Sequence, residues 1–133
     1  MNPGLEVGKS ATVTNKVTKE MFPSFDGEVI HPVLSTVSLV HHMEWAARRL
    51  ILPYITPEEE GMGASVEVTH SSPAIEGDEI VAKATVVKIK QRMILCNAEV
   101  RSGHIIIGKG SVTQAIIPKT YIKKQIEELQ KVK

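Results

Sequence analysis

Val40-His41-His42-Met43-Glu44-Trp45-Ala46-Ala47-Arg48-Arg49-Leu50-Ile51-Leu52 is the one long, strongly helical apolar stretch in this chain of 133 residues. Val40, Met43, Ala47, Leu50 and Ile51 recur at helical spacing and mark a face for burial. Extended backward, the pattern predicts a helix from about Thr36 to Leu52, and Pro53 argues against its continuing. Glu44 is out of place in it. It stands beside Met43 and one turn from both Val40 and Ala47, on or at the edge of the apolar face. A carboxylate there is costly unless it is paired, and ionisable groups in such settings gather at functional sites. Arg48, at i+4, offers a plain alternative: a Glu44–Arg48 pair on a solvated helix side.

Outward from this helix the period changes. Before it, Ser10 to Val17 alternates as a strand, and Met21 to Pro32 is broken by Phe22-Pro23, Asp26-Gly27 and His31-Pro32. After it, Pro57 to Gly61 reads as a turn. Four strand-like runs follow, over 63–69, 79–90, 92–101 and 105–117. Ser102-Gly103 marks a hairpin turn. Gly108 and Gly110 interrupt the last run and suggest a bulge or a close backbone approach. Residues 118–133 form a helical tail, with Ile122, Ile126 and Leu129 in register and a Lys-rich solvated side. One helix and a meandering antiparallel sheet make an α+β fold, and the sheet buries the helix by wrapping it. The length suits one domain over 1–133. A small core with few aromatic residues favours pairing through sheet edges, giving a homodimer or a pair of dimers.

Composition removes several function classes. The formal net charge is +1, so no basic field supports nucleic-acid binding. No run approaches the roughly 20 apolar residues of a membrane span, and no secretory signal is visible, so a cytoplasmic protein is expected. Cys96 is the single cysteine, which excludes an internal disulfide and fits a reducing compartment. His41 and His42 invite a metal reading. Neighbouring helical residues point about 100° apart and do not share one ion well, so no metal centre is expected.

Met43-Glu44-Trp45-Ala46, Pro53-Tyr54, Gly63 and Val68-Thr69-His70 together resemble the hotdog-fold thioesterases, and most closely the fluoroacetyl-CoA thioesterase type. Val7-Gly8 and Ala115-Ile116-Ile117 extend the resemblance over most of the chain. It implies a hotdog fold, an acyl-CoA substrate and no cofactor beyond the coenzyme A that the substrate carries. It also implies a catalytic group of Thr36, Glu44 and His70. Gly63 would let a backbone N–H approach the substrate without a Cβ in the way. Ile30 stands where that family's gating phenylalanine is, and Gln114 where it has a late-strand arginine. The segment before Thr36 is shorter than in the fluoroacetyl-specific enzyme, which implies loss of its aromatic lid. These departures bear on fluoroacetate selectivity and leave thioester hydrolysis intact.

The chemistry leaves alternatives open. Glu44 would act as nucleophile or as the base for water. Thr36 falls where a helix N-cap would, beside free N–H groups. Eight helical residues rise about 12 Å, so Thr36 and Glu44 of one chain reach one carbonyl only if the chain bends after Thr36. Otherwise the site combines two subunits. Hydrolysis of a short-chain acyl-CoA is the leading expectation. A hotdog hydratase or dehydratase using Glu44 and His70, or a non-catalytic acyl-CoA-binding module, would also fit these residues.

Overall fold

The computed structural model describes every residue from Met1 to Lys133. Helix α1 spans Thr36–Ile51, and Leu52–Tyr54 continues it as a single 3-10 turn. It packs against a five-stranded antiparallel sheet of β1 (Ser10–Lys16), β4 (Glu59–His70), β5 (Glu79–Lys90), β6 (Met93–Ser102) and β7 (Ile105–Pro118). The spatial order is β1-β5-β6-β7-β4, so β1 and β4 are the edges. A miniature hairpin, β2 (Ser24–Phe25) and β3 (Glu28–Val29), precedes the helix. The tail is α2 (Lys119–Lys131).

The helix face that enters the core is slightly rotated from the expected one. Leu39, Met43, Ala46, Ala47, Leu50 and Ile51 are buried, whereas Val40 is only half-buried. They meet Val13, Ile80, Ala82, Ala84, Val86, Ile94, Cys96, Val100, Val112 and Ile116 in one contiguous core. Truncating a fully buried side chain such as Met43 to alanine would cost about 2–5 kcal/mol. Cys96 lies in that core, and burial pushes its thiol up to about 11. No helix is long and apolar enough to cross a membrane.

Strand β4 begins earlier than its sequence suggests. Glu59 to Gly61, read as a turn, already pair with Pro118 to Ile116 of β7. Glutamates are poor strand formers, and here cross-strand pairing overrides that preference. Glu59 is nearly buried. Its carboxylate accepts from the Met1 ammonium, the Thr56 N–H and Arg92, in that order of influence its first three, and its pKa falls to about 2. Further along, the register slips between Gly63 and Ser65, leaving Ala64 as a bulge. Close approach explains the β7 glycines. A Cβ on Gly110 would overlap the Glu67 carbonyl, and one on Gly108 would lie 3.1 Å from the Thr69 oxygen and press on Leu39. The tail helix α2 buries none of its residues; Ile126 and Leu129 remain exposed.

Candidate active site

At the N-terminus of α1, Ser35 is the cap. Its backbone is extended, and its hydroxyl accepts from the Ser38 N–H at 2.9 Å. The expected placement of Thr36 at the cap is thus corrected by one residue. Both are good capping residues, and only the backbone bend decides between them. Thr36 is the first helical residue, exposed, with its hydroxyl free for other work. Oγ1 lies 2.9 Å from Nδ1 of His70, the last residue of β4, in a hydrogen bond whose direction follows the imidazole tautomer.

Thr36 and His70 open onto a cleft of about 920 Å³. Phe22, Phe25, Ile30, Val33 and Val37 supply its apolar wall. The short segment before the helix thus contributes two aromatic side chains, Phe22 and Phe25, to this wall. Asp26 and Gly27, at φ of 53° and 81°, turn β2 back on β3 and set Phe25 against the cleft. Only Ile30 itself is aliphatic where the resemblance places a gating ring.

Glu44 opens onto a second cleft, of about 390 Å³, shared with His41, Trp45, Arg48, Gly61, Gly63 and Gln114. Arg48 is not its partner. The Arg48 Nη1 lies 2.7 Å from Glu60 Oε1, and this pair holds the Glu60 pKa below its usual range. The local i+4 pairing loses to a carboxylate that the start of β4 brings alongside. Neither a hydrogen bond nor an ion pair from the protein reaches the half-buried Glu44 carboxylate. Gly63 faces it closely: a Cβ there would sit 3.0 Å from Glu44 Oε2. The Ala64 bulge follows at once, in keeping with the habit of bulges to re-aim strands beside functional sites. Across the ladder from Gly63 stands Gln114, only 3% exposed. Its amide makes no hydrogen bond within the protein and lines the Glu44 cleft, so its capacity is free for a ligand or water.

The histidine pair divides. His42 is buried. Its Nδ1–H donates to the Ser38 carbonyl at 2.7 Å, so Nε2 accepts from Asn15 Nδ2 at 3.0 Å. Desolvation lowers its pKa, against the opposing Ser38 bond, and the neutral ring is structural. His41 is exposed and lines both clefts. His41 lies between the two clefts, a position that its geometry as a metal ligand does not reveal. The available signal was its place three residues before Glu44.

The structure thus gathers Ile30, Thr36 and His70 in one cleft and Glu44, Gly63 and Gln114 in another. Helix α1 is continuous from Thr36 to Ile51, so the chain does not bend between Thr36 and Glu44. They stay about 12 Å apart along its axis.

This fold and constellation have known counterparts. The fluoroacetyl-CoA-specific thioesterase family pattern matches residues 17–120. The fluoroacetyl-CoA thioesterase of Streptantibioticus cattleyicolor is 27% identical over 123 residues, covering 88% of each chain. Among solved structures, a Thermus thermophilus thioesterase superfamily member superposes with a TM-score of 0.93 at 30% identity, over 97% of this chain and 96% of that one. A crystal structure of the fluoroacetyl-CoA thioesterase superposes at 0.87 with 24% identity, over 94% and 97%. A hot-dog-like protein from Thermanaerovibrio acidaminovorans shares the architecture at a TM-score of 0.85 and 17% identity, over 96% and 92%. With its α+β hotdog architecture and a match spanning most of its length, this chain belongs to the fluoroacetyl-CoA-specific thioesterase family.

Proposed function

We propose that this protein hydrolyses short-chain acyl-CoA thioesters to the free acid and coenzyme A, in a site shared by two copies of the chain. The observation that carries the reading is Glu44: a half-buried carboxylate without a protein partner, facing Gly63 across a cleft that also holds the free amide of Gln114. A thioester needs only an attacking group, donors for the developing oxyanion and a leaving thiolate. Glu44 serves as the base that activates water or as the nucleophile itself. Gln114 offers an N–H to the acyl group, and the glycine at 63 leaves its backbone open to approach.

The other half of the chemistry comes from Thr36 and His70. Their hydrogen bond holds the imidazole at the mouth of the larger cleft, where it can pass a proton to the leaving thiolate. Because α1 is straight, these groups meet Glu44 only across chains. Strand β4 supplies the means, since it is a sheet edge with Met62 to Ser65 exposed. Antiparallel pairing of β4 with its copy about a two-fold axis near Val66 sets His70 of one chain opposite Met62 of the other. Met62 is flanked by Gly61 and Gly63, both in the wall of the Glu44 cleft. Such a homodimer, alone or doubled, completes each site with residues of both protomers. No cofactor enters this reading beyond the coenzyme A of the substrate, and a cytoplasmic, reducing setting suits the single buried cysteine.

Incubation of the purified chain with acetyl-CoA and longer acyl-CoAs, following free thiol, tests the assignment. Hydrolysis releases CoA thiol in step with acid. A change in the acyl chain without thiol release would instead mark a hydratase, and binding without either would mark a carrier.

A further inference from the structure

We propose that His41 is the proton relay of the Glu44 cleft, carrying away the proton that hydrolysis deposits there. The inference rests on the reading of Glu44 as the group that acts on the thioester. His41 stands three residues before Glu44 on α1, a spacing that puts the two side chains next to each other on the helix surface. It is the single residue common to the walls of both clefts. Its ring is held by packing, edge-on to His42 at 5.6 Å and tilted against Trp45 at 5.9 Å. Neither ring nitrogen has a hydrogen-bond partner within the protein, in contrast with His42 and the Thr36-bonded His70.

No other group at this place can do the same work. In the Glu44 cleft, Arg48 is engaged with Glu60, and Gln114 carries an amide, which is neither acid nor base. His42, beneath, has both nitrogens engaged. Glu20, His31 and His70 face His41 only from the larger cleft. An imidazole with two free nitrogens, exposed to solvent, can accept a proton at one nitrogen and release one from the other.

The step balances in either route. With Glu44 as base, the water oxygen bonds to the acyl carbon and the C–S bond breaks. The thiolate leaves with the electron pair, and one water proton passes to the Glu44 carboxylate. Glu44 then hands that proton to a free nitrogen of His41. The imidazolium releases it to the thiolate or to bulk water, and both residues return to their starting forms. With Glu44 as nucleophile, its oxygen displaces the thiolate and forms an anhydride. Glu44 is then occupied, and His41 takes the proton of the water that cleaves the acyl group from it.

The test compares His41→Ala, His41→Gln and Glu44→Gln in the full chain with acetyl-CoA. His41→Ala is expected to lower kcat about 10–100-fold with KM within about twofold, since proton transfer and not substrate binding is impaired. Imidazole added to the buffer is expected to recover at least about fivefold of that loss in His41→Ala, where the vacated space admits it. It should recover nothing in His41→Gln, where the side chain fills that space, or in Glu44→Gln. If Glu44→Gln is inactive while His41→Ala keeps kcat near wild type, or loses activity that imidazole does not restore, the relay is refuted and the Glu44 reading stands. Wild-type activity in Glu44→Gln would overturn both.

Discussion

The two clefts flanking α1 differ in what they leave unbonded. In the larger, Thr36 and His70 are already joined at 2.9 Å, and the apolar wall of Phe22, Phe25 and Ile30 is in place. In the smaller, Glu44 and Gln114 face solvent-filled space with no protein partner, although Gln114 is almost wholly buried. What remains accessible of Gln114 is its amide, which opens onto the Glu44 cleft without a protein partner, so its hydrogen-bonding capacity is met from outside the chain. The first cleft is organised by the chain itself. The second is organised for something that arrives, whether substrate, water or a neighbouring protomer. Functional demand is therefore written most plainly where hydrogen bonds are missing.

The sharpest way to break this contrast is Glu44→Gln. It keeps shape and removes the ionisable group, so hydrolysis should fall at least about a hundredfold. Folding should survive, because the carboxylate has no protein partner to abandon. Near-wild-type turnover in a folded variant would leave the smaller cleft without a function. Next in size is complementation. Mixing inactive Thr36→Ala and Glu44→Gln chains under subunit exchange leaves one intact site in each mixed dimer, so activity should return to about a quarter of wild type with random pairing. No recovery despite proven exchange would show that each chain builds its own site.

Selectivity probes the larger cleft. The resemblance puts aliphatic Ile30 where the family has a gating ring; on that reading discrimination rests on pocket size, which gives roughly 1–3 kcal/mol per methylene. Several short acyl-CoAs should be hydrolysed, with little preference for the fluorinated acetyl group. A preference of about several thousandfold for fluoroacetyl-CoA over acetyl-CoA, well beyond what a small apolar pocket supplies, would show that Phe22 and Phe25 or Gln114 do more than line the walls.

The smallest effect separates His42 from the imidazoles of the clefts. Its folded pKa lies below the ordinary value of about 6.5, so the unfolded chain binds the proton first as pH falls. Its contribution to stability is complete above about pH 6.5 and declines below it, toward the folded value. Glu59 and Glu60, with pKa values depressed in the fold, lose theirs only lower, below the carboxylate range. Thermal unfolding between pH 7.5 and 5 should therefore show a falling midpoint that flattens in His42→Leu. An unchanged slope in that variant would place the sensitivity elsewhere.

Much of this architecture is legible in the sequence because it is local. The apolar spacing of Met43, Ala47, Leu50 and Ile51 and the stop at Pro53 define α1, and two-residue alternation defines β5 to β7. What escapes is set by contacts distant in sequence. Glu59 to Gly61 join β4 because β7 lies beside them. Arg48 chooses Glu60 over Glu44 because the strand delivers it. The separation of Thr36 and His70 from Glu44 follows from helix geometry, which the sequence supports once α1 is taken as straight. That His41 lies where the two clefts meet depends on which way each histidine of a pair faces, and adjacent residues in a sequence do not tell that.

Cys96, buried on β6, has a consequence at the bench. Thiol-selective reagents react with the thiolate, and a thiol held near 11 in a sealed core offers almost none at neutral pH. The native protein is thus expected to be silent in a colorimetric thiol titration, so that the colour that develops counts turnovers. Should Cys96 begin to react during a measurement, it would report that the core has opened, so the same reagent doubles as an alarm for unfolding.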